Sequence, residues 1–146
     1  MQHPTNPARL VLIEDNPADI RLLQLALDEL GEPYQLEVLT DGEAALHYVC
    51  EQCGTISPDP CLIVLDLHLP RHQGAAVLRA LRAEPALTHV RVAVVTTQAS
   101  PTEEAEVVQL GVRLYRHKPT GLDEWLRLGA ELMALCQEPV THAAAG

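Results

Sequence analysis

The chain is predicted to fold as an α/β domain, a five-stranded parallel sheet with helices on both faces, and two observations lead to this fold class. Short aliphatic runs alternate five times along the 146 residues with segments whose apolar residues recur at helical spacing. The runs are apolar almost throughout, as strands covered on both faces require. A chain of this length supports one core, so we expect a single domain.

Each predicted strand is a short run that stops at a turn or a polar residue. The first strand ends at Glu14 and Asp15, the third ends at Asp66, and the fourth runs into Thr96. The second alternates more than the others, and the fifth precedes Lys118. The predicted strands cover residues 10–13, 34–39, 61–65, 92–95 and 112–115.

Local capping signals place the ends of the helices. Asn16 followed by Pro17 predicts the start of the first helix, and Gly31 predicts its end. Ser100 and Glu103 form a capping-box pattern that predicts the start of the fourth helix. The other helices are predicted after residue 41, after the 70–74 loop and over residues 122–136.

Composition and charge exclude several classes of function. The net charge of −10 repels polyanions, so nucleic acid is not an expected partner. No apolar run reaches the ~20 residues of a membrane helix, and residues 1–7 do not resemble a secretory signal. We therefore expect a cytoplasmic protein whose four cysteines, at positions 50, 53, 61 and 136, are reduced thiols.

Polar residues follow four of the predicted strands at the edge where parallel strands end. Glu14, Asp15 and Asp66 are carboxylates that repel one another unless a cation lies among them, and oxygen ligands of this kind suit Mg²⁺ or Mn²⁺. Thr96 and Lys118 supply a hydroxyl donor and a positive charge, which suit a phosphoryl group beside the metal. The sequence therefore predicts one pocket for a metal and an anion.

This constellation resembles the receiver domain of bacterial two-component response regulators over about residues 8–137, with flexible segments expected at 1–7 and 138–146. The resemblance rests on Glu14–Asp15, on Asp66 in the run LDLHLP, on Thr96, and on Lys118 before a proline. Residues 11–19, VLIEDNPAD, together with two threonines at 96–97, are similar to the stand-alone regulators that partner bacterial phytochrome histidine kinases. The fold implied is flavodoxin-like, (βα)5.

The resemblance implies that Asp66 accepts a phosphoryl group from a kinase phosphohistidine. It implies a Mg²⁺ ion held by Asp15, Asp66 and the backbone carbonyl of His68, with Glu14 acting through water. Lys118 would offset further negative charge on the phosphoryl group. Such a protein signals rather than turning over a substrate, although it assists its own phosphotransfer and dephosphorylation.

A switch is also implied by the resemblance. Thr96 would bind the phosphoryl oxygens, and Tyr115, three residues before Lys118, would rotate into the vacated space. The surface of the fourth helix, fifth strand and fifth helix would then change shape. Three residues depart from the family pattern: Gln73 replaces Asp or Asn, Thr97 is large enough to crowd the pocket, and Thr120 replaces an aromatic residue.

The last helix carries apolar residues over a wider arc than one sheet needs to cover. The excess flank comprises Trp125, Leu128, Leu132 and Leu135, which predicts a homodimer through this region. The alternative is that the C-terminal tail folds over the patch.

Two other functions remain open at this point. A haloacid-dehalogenase-like phosphatase also uses a strand-end aspartate with Mg²⁺, but it carries a second aspartate two residues later, where this chain has His68. An interaction module that never takes phosphate is the other alternative, although Asp66, Thr96 and Lys118 are all present.

Overall fold

The structure is a computed structural model that describes residues 7–52, 61–71 and 73–138. Its strands are β1 (Ala8–Ile13), β2 (Tyr34–Leu39), β3 (Leu62–Leu65), β4 (Val92–Thr96) and β5 (Leu114–His117). They form one parallel sheet in the order β2-β1-β3-β4-β5. The predicted flavodoxin-like fold is confirmed, and the strand order changes direction beside β1, where such sheets bind ligands.

The helices follow the strands in alternation. They are α1 (Pro17–Glu29), α2 (Gly42–His47), α3 (Gly74–Ala83), α4 (Pro101–Gln109) and α5 (Leu122–Gln137). A π-helical turn, Tyr48–Gln52, extends α2, and a 3-10 turn, Pro85–Leu87, follows α3. No helix in the described ranges is long and apolar enough to cross a membrane.

The sheet divides two apolar cores because side chains alternate along each strand. On β3, Ile63 and Leu65 pack with α2, α3 and α4, whereas Leu62 and Val64 pack with α1 and α5. The helices on the two faces of the sheet differ in how many residues they bury. α5 buries five residues, but α4 buries a single one, Val107.

The predicted caps are confirmed. Asn16 Oδ1 accepts hydrogen bonds from the amides of Ala18 and Asp19, at 2.9 and 3.3 Å. Gly31 follows α1 with a φ of 71°, in the left-handed region that glycine occupies without steric cost. Ser100 and Glu103 form the reciprocal capping box of α4.

The position of β5 was predicted two residues too early. β5 spans Leu114–His117 and carries exposed Arg116 and His117. It is an edge strand, paired on one side with β4, so polar side chains are tolerated where a central strand would be apolar. Because the prediction relied on a run of apolar residues, it placed β5 over the more hydrophobic residues 112–115.

The apolar flank of α5 is not an exposed patch. The prediction that its residues form an interface on the surface is therefore wrong. Trp125, Leu128 and Leu132 are buried, and Leu135 is half-buried against the same core. The reason is that α5 packs against α1 as well as the sheet. A Cβ added at Gly129 would lie 2.7 Å from Ala26 Cβ, which shows how closely the helices approach.

The prediction of four reduced thiols is wrong for one pair. Cys61, just before β3, and Cys136, near the end of α5, form a disulfide whose Cα atoms are 5.1 Å apart. Their separation of 75 residues hid this proximity from sequence reasoning. Cys50 is a free, exposed thiol, and Cys53 lies outside the described residues. The expected flexible segments 1–7 and 138–146 also lie almost wholly outside them.

The disulfide gives a thiol count that can be measured. With four cysteines in the chain and two in the disulfide, denatured protein prepared without reductant should react with a thiol reagent at two sites, rising to four after reduction. Cys136→Ser should lower the free energy of unfolding by about 2–4 kcal/mol, because the cross-link restricts the unfolded chain. Cys50→Ser is the control. Four reactive thiols before reduction would contradict the disulfide.

Candidate functional site

The carboxyl edge of the sheet gathers the polar residues that the sequence predicted would meet there. Glu14 follows β1, Asp66 follows β3, Thr96 ends β4, and Lys118 follows β5. Glu14, Asp66 and Thr96 are buried, whereas Asp15 is exposed. The convergence follows from the parallel topology, because every strand presents its carboxyl end at the same edge.

Both oxygens of the Asp66 carboxylate are held by neighbours. Oδ1 accepts hydrogen bonds from the Thr96 hydroxyl at 3.0 Å and from the His68 amide at 3.1 Å. Oδ2 lies 3.2 Å from Lys118 Nζ. The carboxylate is therefore fixed in orientation at the centre of the site.

The Lys118 ammonium lies among three carboxylates. Its Nζ is 2.9 Å from Glu14 Oε1, 2.7 Å from Asp19 Oδ2 and 3.2 Å from Asp66 Oδ2. Burial disfavours the ammonium, but hydrogen bonds to Asp19 and Glu14, with the charges of Asp66 and Glu14, outweigh it and raise the pKa of Lys118. Lysine is therefore charged throughout the physiological range.

Asp19 is a member of the site that sequence reasoning missed. It is part of the run at residues 11–19, but it lies in the first turn of α1 and not at the end of a strand. The usable signal was its position four residues after Asp15, at the start of a helix that begins at the same sheet edge.

Glu14 is a buried acidic residue directly after β1. Its Oε2 accepts hydrogen bonds from the amides of Asp15 and Asn16, each at 3.1 Å, while Oε1 faces Lys118. Burial is the largest influence and raises the pKa of Glu14 to about 7, with Asp66 adding to it and the hydrogen bonds from Lys118 and Asn16 opposing it. Because burial withdraws the Glu14 carboxylate from water, a cation beside it would stabilise its negative charge.

Three carboxylates lie close enough to share one cation. Ligand oxygens of Glu14, Asp15 and Asp66 all fall within 4.8 Å of one another. Hard oxygen donors with excess negative charge fit Mg²⁺ or Mn²⁺. The backbone carbonyl of His68 stays a prediction as a further ligand; the His68 ring Nε2 contacts the backbone carbonyl of Gln98, which joins the loops after β3 and β4.

Comparison with known families decides the kind of site. The family model described as the response regulator receiver domain matches residues 10–128, which is most of the chain. The chain belongs to this family. The resemblance that the strand-end residues predicted is therefore confirmed, and the site just described is that of a receiver domain.

A known response regulator is similar to this chain along its whole length. The chain is 33% identical to the response regulator Rcp1 of Synechocystis sp., over 99% of its own length and 100% of the relative. The crystal structure of the Mn²⁺-bound form of Rcp1 superposes with a TM-score of 0.79 at 32% identity, covering 92% of this chain and 98% of that one.

A second solved structure is similar to a comparable degree. The phosphorylated cyanobacterial phytochrome response regulator RcpA has a TM-score of 0.77 at 30% identity, covering 86% of this chain and 91% of that one. The predicted likeness to single-domain, phytochrome-linked regulators is confirmed.

Gly74 brings the start of α3 against the loop after β3 that carries Asp66. A Cβ at this position would lie 2.3 Å from the Asp66 carbonyl oxygen and 2.6 Å from Leu67 Cα. The Gly74 amide donates to the Leu67 carbonyl at 2.9 Å, which fixes the approach. Any side chain at residue 74 must displace the backbone that carries Asp66.

Tyr115 lies on the same face of the sheet as Thr96, because Tyr115 pairs with Val94 in the register of β4 and β5. Its hydroxyl is buried and has no hydrogen-bond partner within the described part of the chain. Burial, with the charges of Glu104 and Glu103, raises the pKa of Tyr115. The ring packs edge-on to His117, with centroids 5.9 Å apart.

The three departures from the family pattern lie at the rim of the site. Gln73 precedes α3 without a capping hydrogen bond from its side chain. Thr97 is exposed, directly after β4. The Thr120 hydroxyl donates to Glu124 at 3.0 Å, within the first turn of α5.

Substitution of Gly74 tests the close approach beneath Asp66. Gly74→Ala should lower the free energy of unfolding by about 1–3 kcal/mol, because the backbone must shift to admit the methyl group. Gly121→Ala is the matched control, since a Cβ there meets nothing within 4 Å. Urea denaturation measures both, and equal losses in the two variants would contradict the steric argument.

Removal of the Tyr115 hydroxyl tests whether that group is unsatisfied. Tyr115→Phe should leave the free energy of unfolding unchanged or raise it by up to about 1 kcal/mol, because no hydrogen bond is lost. Tyr34→Phe is the control, since the Tyr34 hydroxyl donates to Asp28 Oδ1 at 2.5 Å. That variant should lose about 0.5–1.5 kcal/mol. A larger loss at Tyr115 than at Tyr34 would show that the hydroxyl has a partner.

Proposed function

We propose that this receiver domain accepts a phosphoryl group on Asp66 from the phosphohistidine of a sensor kinase and reports it as a changed surface. The observation that carries the proposal is the buried Asp66 carboxylate, held between the Thr96 hydroxyl and the Lys118 ammonium. Its similarity to a regulator whose structure is described as phosphorylated supports the same role here.

A divalent cation, Mg²⁺ or Mn²⁺, is part of the proposal. The acidic cluster of Glu14, Asp15 and Asp66 fits such an ion, and the similar Rcp1 has been described in a Mn²⁺-bound form. When bound, the ion would offset the repulsion between the carboxylate and the incoming phosphoryl oxygens. Asp15 and Asp66 would hold it, with the His68 carbonyl, and Glu14 would act through water.

Phosphoryl transfer exchanges one bond to phosphorus for another. An oxygen of Asp66 forms a P–O bond as the P–N bond to the kinase histidine breaks, and the imidazole keeps the electron pair of that bond. Lys118, already 3.2 Å from Asp66, provides positive charge beside the phosphoryl group. Hydrolysis of the acyl phosphate later restores the carboxylate, which is how the domain would assist its own reset.

The switch that follows begins at Thr96. Its hydroxyl donates to Asp66 Oδ1 in this structure and would turn to a phosphoryl oxygen after transfer. Tyr115 would then rotate inward on the same face of the sheet. Among the described residues, the Tyr115 hydroxyl has no hydrogen-bond partner in its present position, so the side chain loses no hydrogen bond when it rotates. This favours the rotation.

The proposed kinase is a phytochrome. The run at residues 11–19 and the similarity to a cyanobacterial phytochrome response regulator support this pairing. The proposal places both proteins in the cytoplasm, where ATP supplies the kinase with its phosphoryl group. A downstream protein would then recognise the changed surface of α4, β5 and α5.

A homodimer through α4, β5 and α5 is also proposed, with different residues from those that the sequence suggested. Two large apolar side chains on this part of the molecule are exposed, Val108 at 63% and Leu122 at 54%. They replace the buried flank of α5 as the apolar contribution to such an interface.

Neither alternative function has a comparable observation behind it. A phosphatase of the haloacid-dehalogenase kind needs a second carboxylate two residues after the nucleophile, where this chain carries His68. An inert interaction module would not need Asp66 to be buried between a hydroxyl and an ammonium.

Intact-protein mass spectrometry after incubation with Mg²⁺ and acetyl phosphate tests the proposed function. The wild-type chain should gain one phosphoryl group, and Asp66→Asn should gain none, because the amide oxygen is a poor nucleophile. Asp123→Asn, an exposed carboxylate in the first turn of α5, is the control and should behave as wild type. Repeated turnover of phosphate esters would instead indicate a phosphatase. No adduct from acetyl phosphate or from phytochrome kinases would indicate the inert module.

A further inference from the structure

The Lys118 ammonium forms ion pairs with carboxylates that come from three different elements. Glu14 follows β1, Asp66 follows β3, and Asp19 belongs to α1. The contact with Asp19, at 2.7 Å, is the shortest of the three. Both side chains are largely withdrawn from solvent, with exposures of 11% for Lys118 and 18% for Asp19.

The three carboxylates are not equivalent in the proposed reaction. Glu14 and Asp66 belong to the acidic cluster that fits a divalent cation, and Asp66 also takes the phosphoryl group. Both must therefore change partners during the cycle. Asp19 is outside that cluster of Glu14, Asp15 and Asp66, so its contact with Lys118 is free to persist.

Asp19 is also well fixed. Its backbone amide donates to the N-cap side chain of Asn16, and α1 packs closely against α5 at the Ala26–Gly129 contact. A carboxylate on this helix gives Lys118 a stationary partner. A lysine side chain has several rotatable bonds and would otherwise be free to follow whichever anion is nearest.

We propose that Asp19 is a positioning residue: it keeps the Lys118 ammonium at the acceptor site while Glu14 and Asp66 exchange their partners. The inference rests on the proposed function, since it concerns phosphoryl transfer to Asp66. It adds to that function a tether on α1 that acts through Lys118 and touches neither the metal ligand set nor the phosphoryl group.

An ordinary surface ion pair would not produce this effect. Exposed pairs contribute little, because water screens them and both side chains lose freedom. Asp19 and Lys118 are mostly buried, so water and salt screen their ion pair less than they screen an exposed one. The alternative role for Asp19 is structural, as an acidic residue in the first turn of α1.

The initial rate of Asp66 phosphorylation by acetyl phosphate at saturating Mg²⁺ distinguishes the two roles. Asp19→Asn should slow the reaction about fivefold to twentyfold, because the neutral amide holds the ammonium less firmly. Asp19→Glu keeps the charge and should recover at least part of the rate. Glu29→Gln removes one charge at the other end of α1, about 15 Å away along the helix axis, and should match the wild type.

A double-mutant cycle with Lys118→Met shows whether Asp19 acts through the lysine. In that background Asp19→Asn should change the rate less than about twofold, since the tether no longer has a partner. A structural role would give the same fractional loss in both backgrounds. If Lys118→Met is too slow to measure, the thermal stability of Asp19→Asn decides: a slowed reaction at unchanged stability supports the tether, and a slowed reaction with a matching loss of stability overturns it.

Thermal unfolding of each variant confirms that all remain folded at the assay temperature. A rate for Asp19→Asn equal to that of the wild type, or an undiminished loss in the Lys118→Met background, overturns the inference and leaves the proposed function intact. Failure of the wild type and Glu29→Gln to accept any phosphoryl group overturns the proposed function, and the inference with it.

Discussion

Repulsion among carboxylates at one edge of the sheet is the constraint on which the site depends. Glu14, Asp19 and Asp66 surround a single ammonium, Lys118, and Asp15 lies beside them. One positive charge cannot neutralise four negative ones, so the site favours a cation and protonation of the buried Glu14. The same excess charge repels any anion that approaches Asp66.

The sheet topology makes this crowding possible. The strand order changes direction beside β1, so the ends of β1 and β3 open to a crevice rather than to a crossover loop. Gly74 lets α3 begin directly against the loop that carries Asp66, and the contact between His68 and Gln98 joins that loop to the one after β4. The charged residues are thus carried by short segments with little freedom, so the charges of the site are preorganised.

Features set by neighbouring residues could be predicted from the sequence. Strand-end acids, the Asn16 cap and the capping box at Ser100 depend on local order, and all were found as expected. Features set by packing between distant segments could not. The Cys61–Cys136 disulfide depends on how α5 crosses the sheet, and the burial of Trp125 depends on α1 covering a flank that the sheet leaves open. Asp19 joined the site because its helix begins at the same edge, a relation that strand patterns do not reveal.

The unequal burial of the helices has a mechanical consequence. α1 and α5 meet at a small-residue contact and share a core, so they form the stiff side of the molecule. α4 buries a single residue, Val107, in the core next to Tyr115, and an ion pair between Arg79 and Glu106 ties it to α3. Displacing a helix costs free energy in proportion to the apolar area that it uncovers. Apolar packing therefore resists a local displacement less at α4 than at α5.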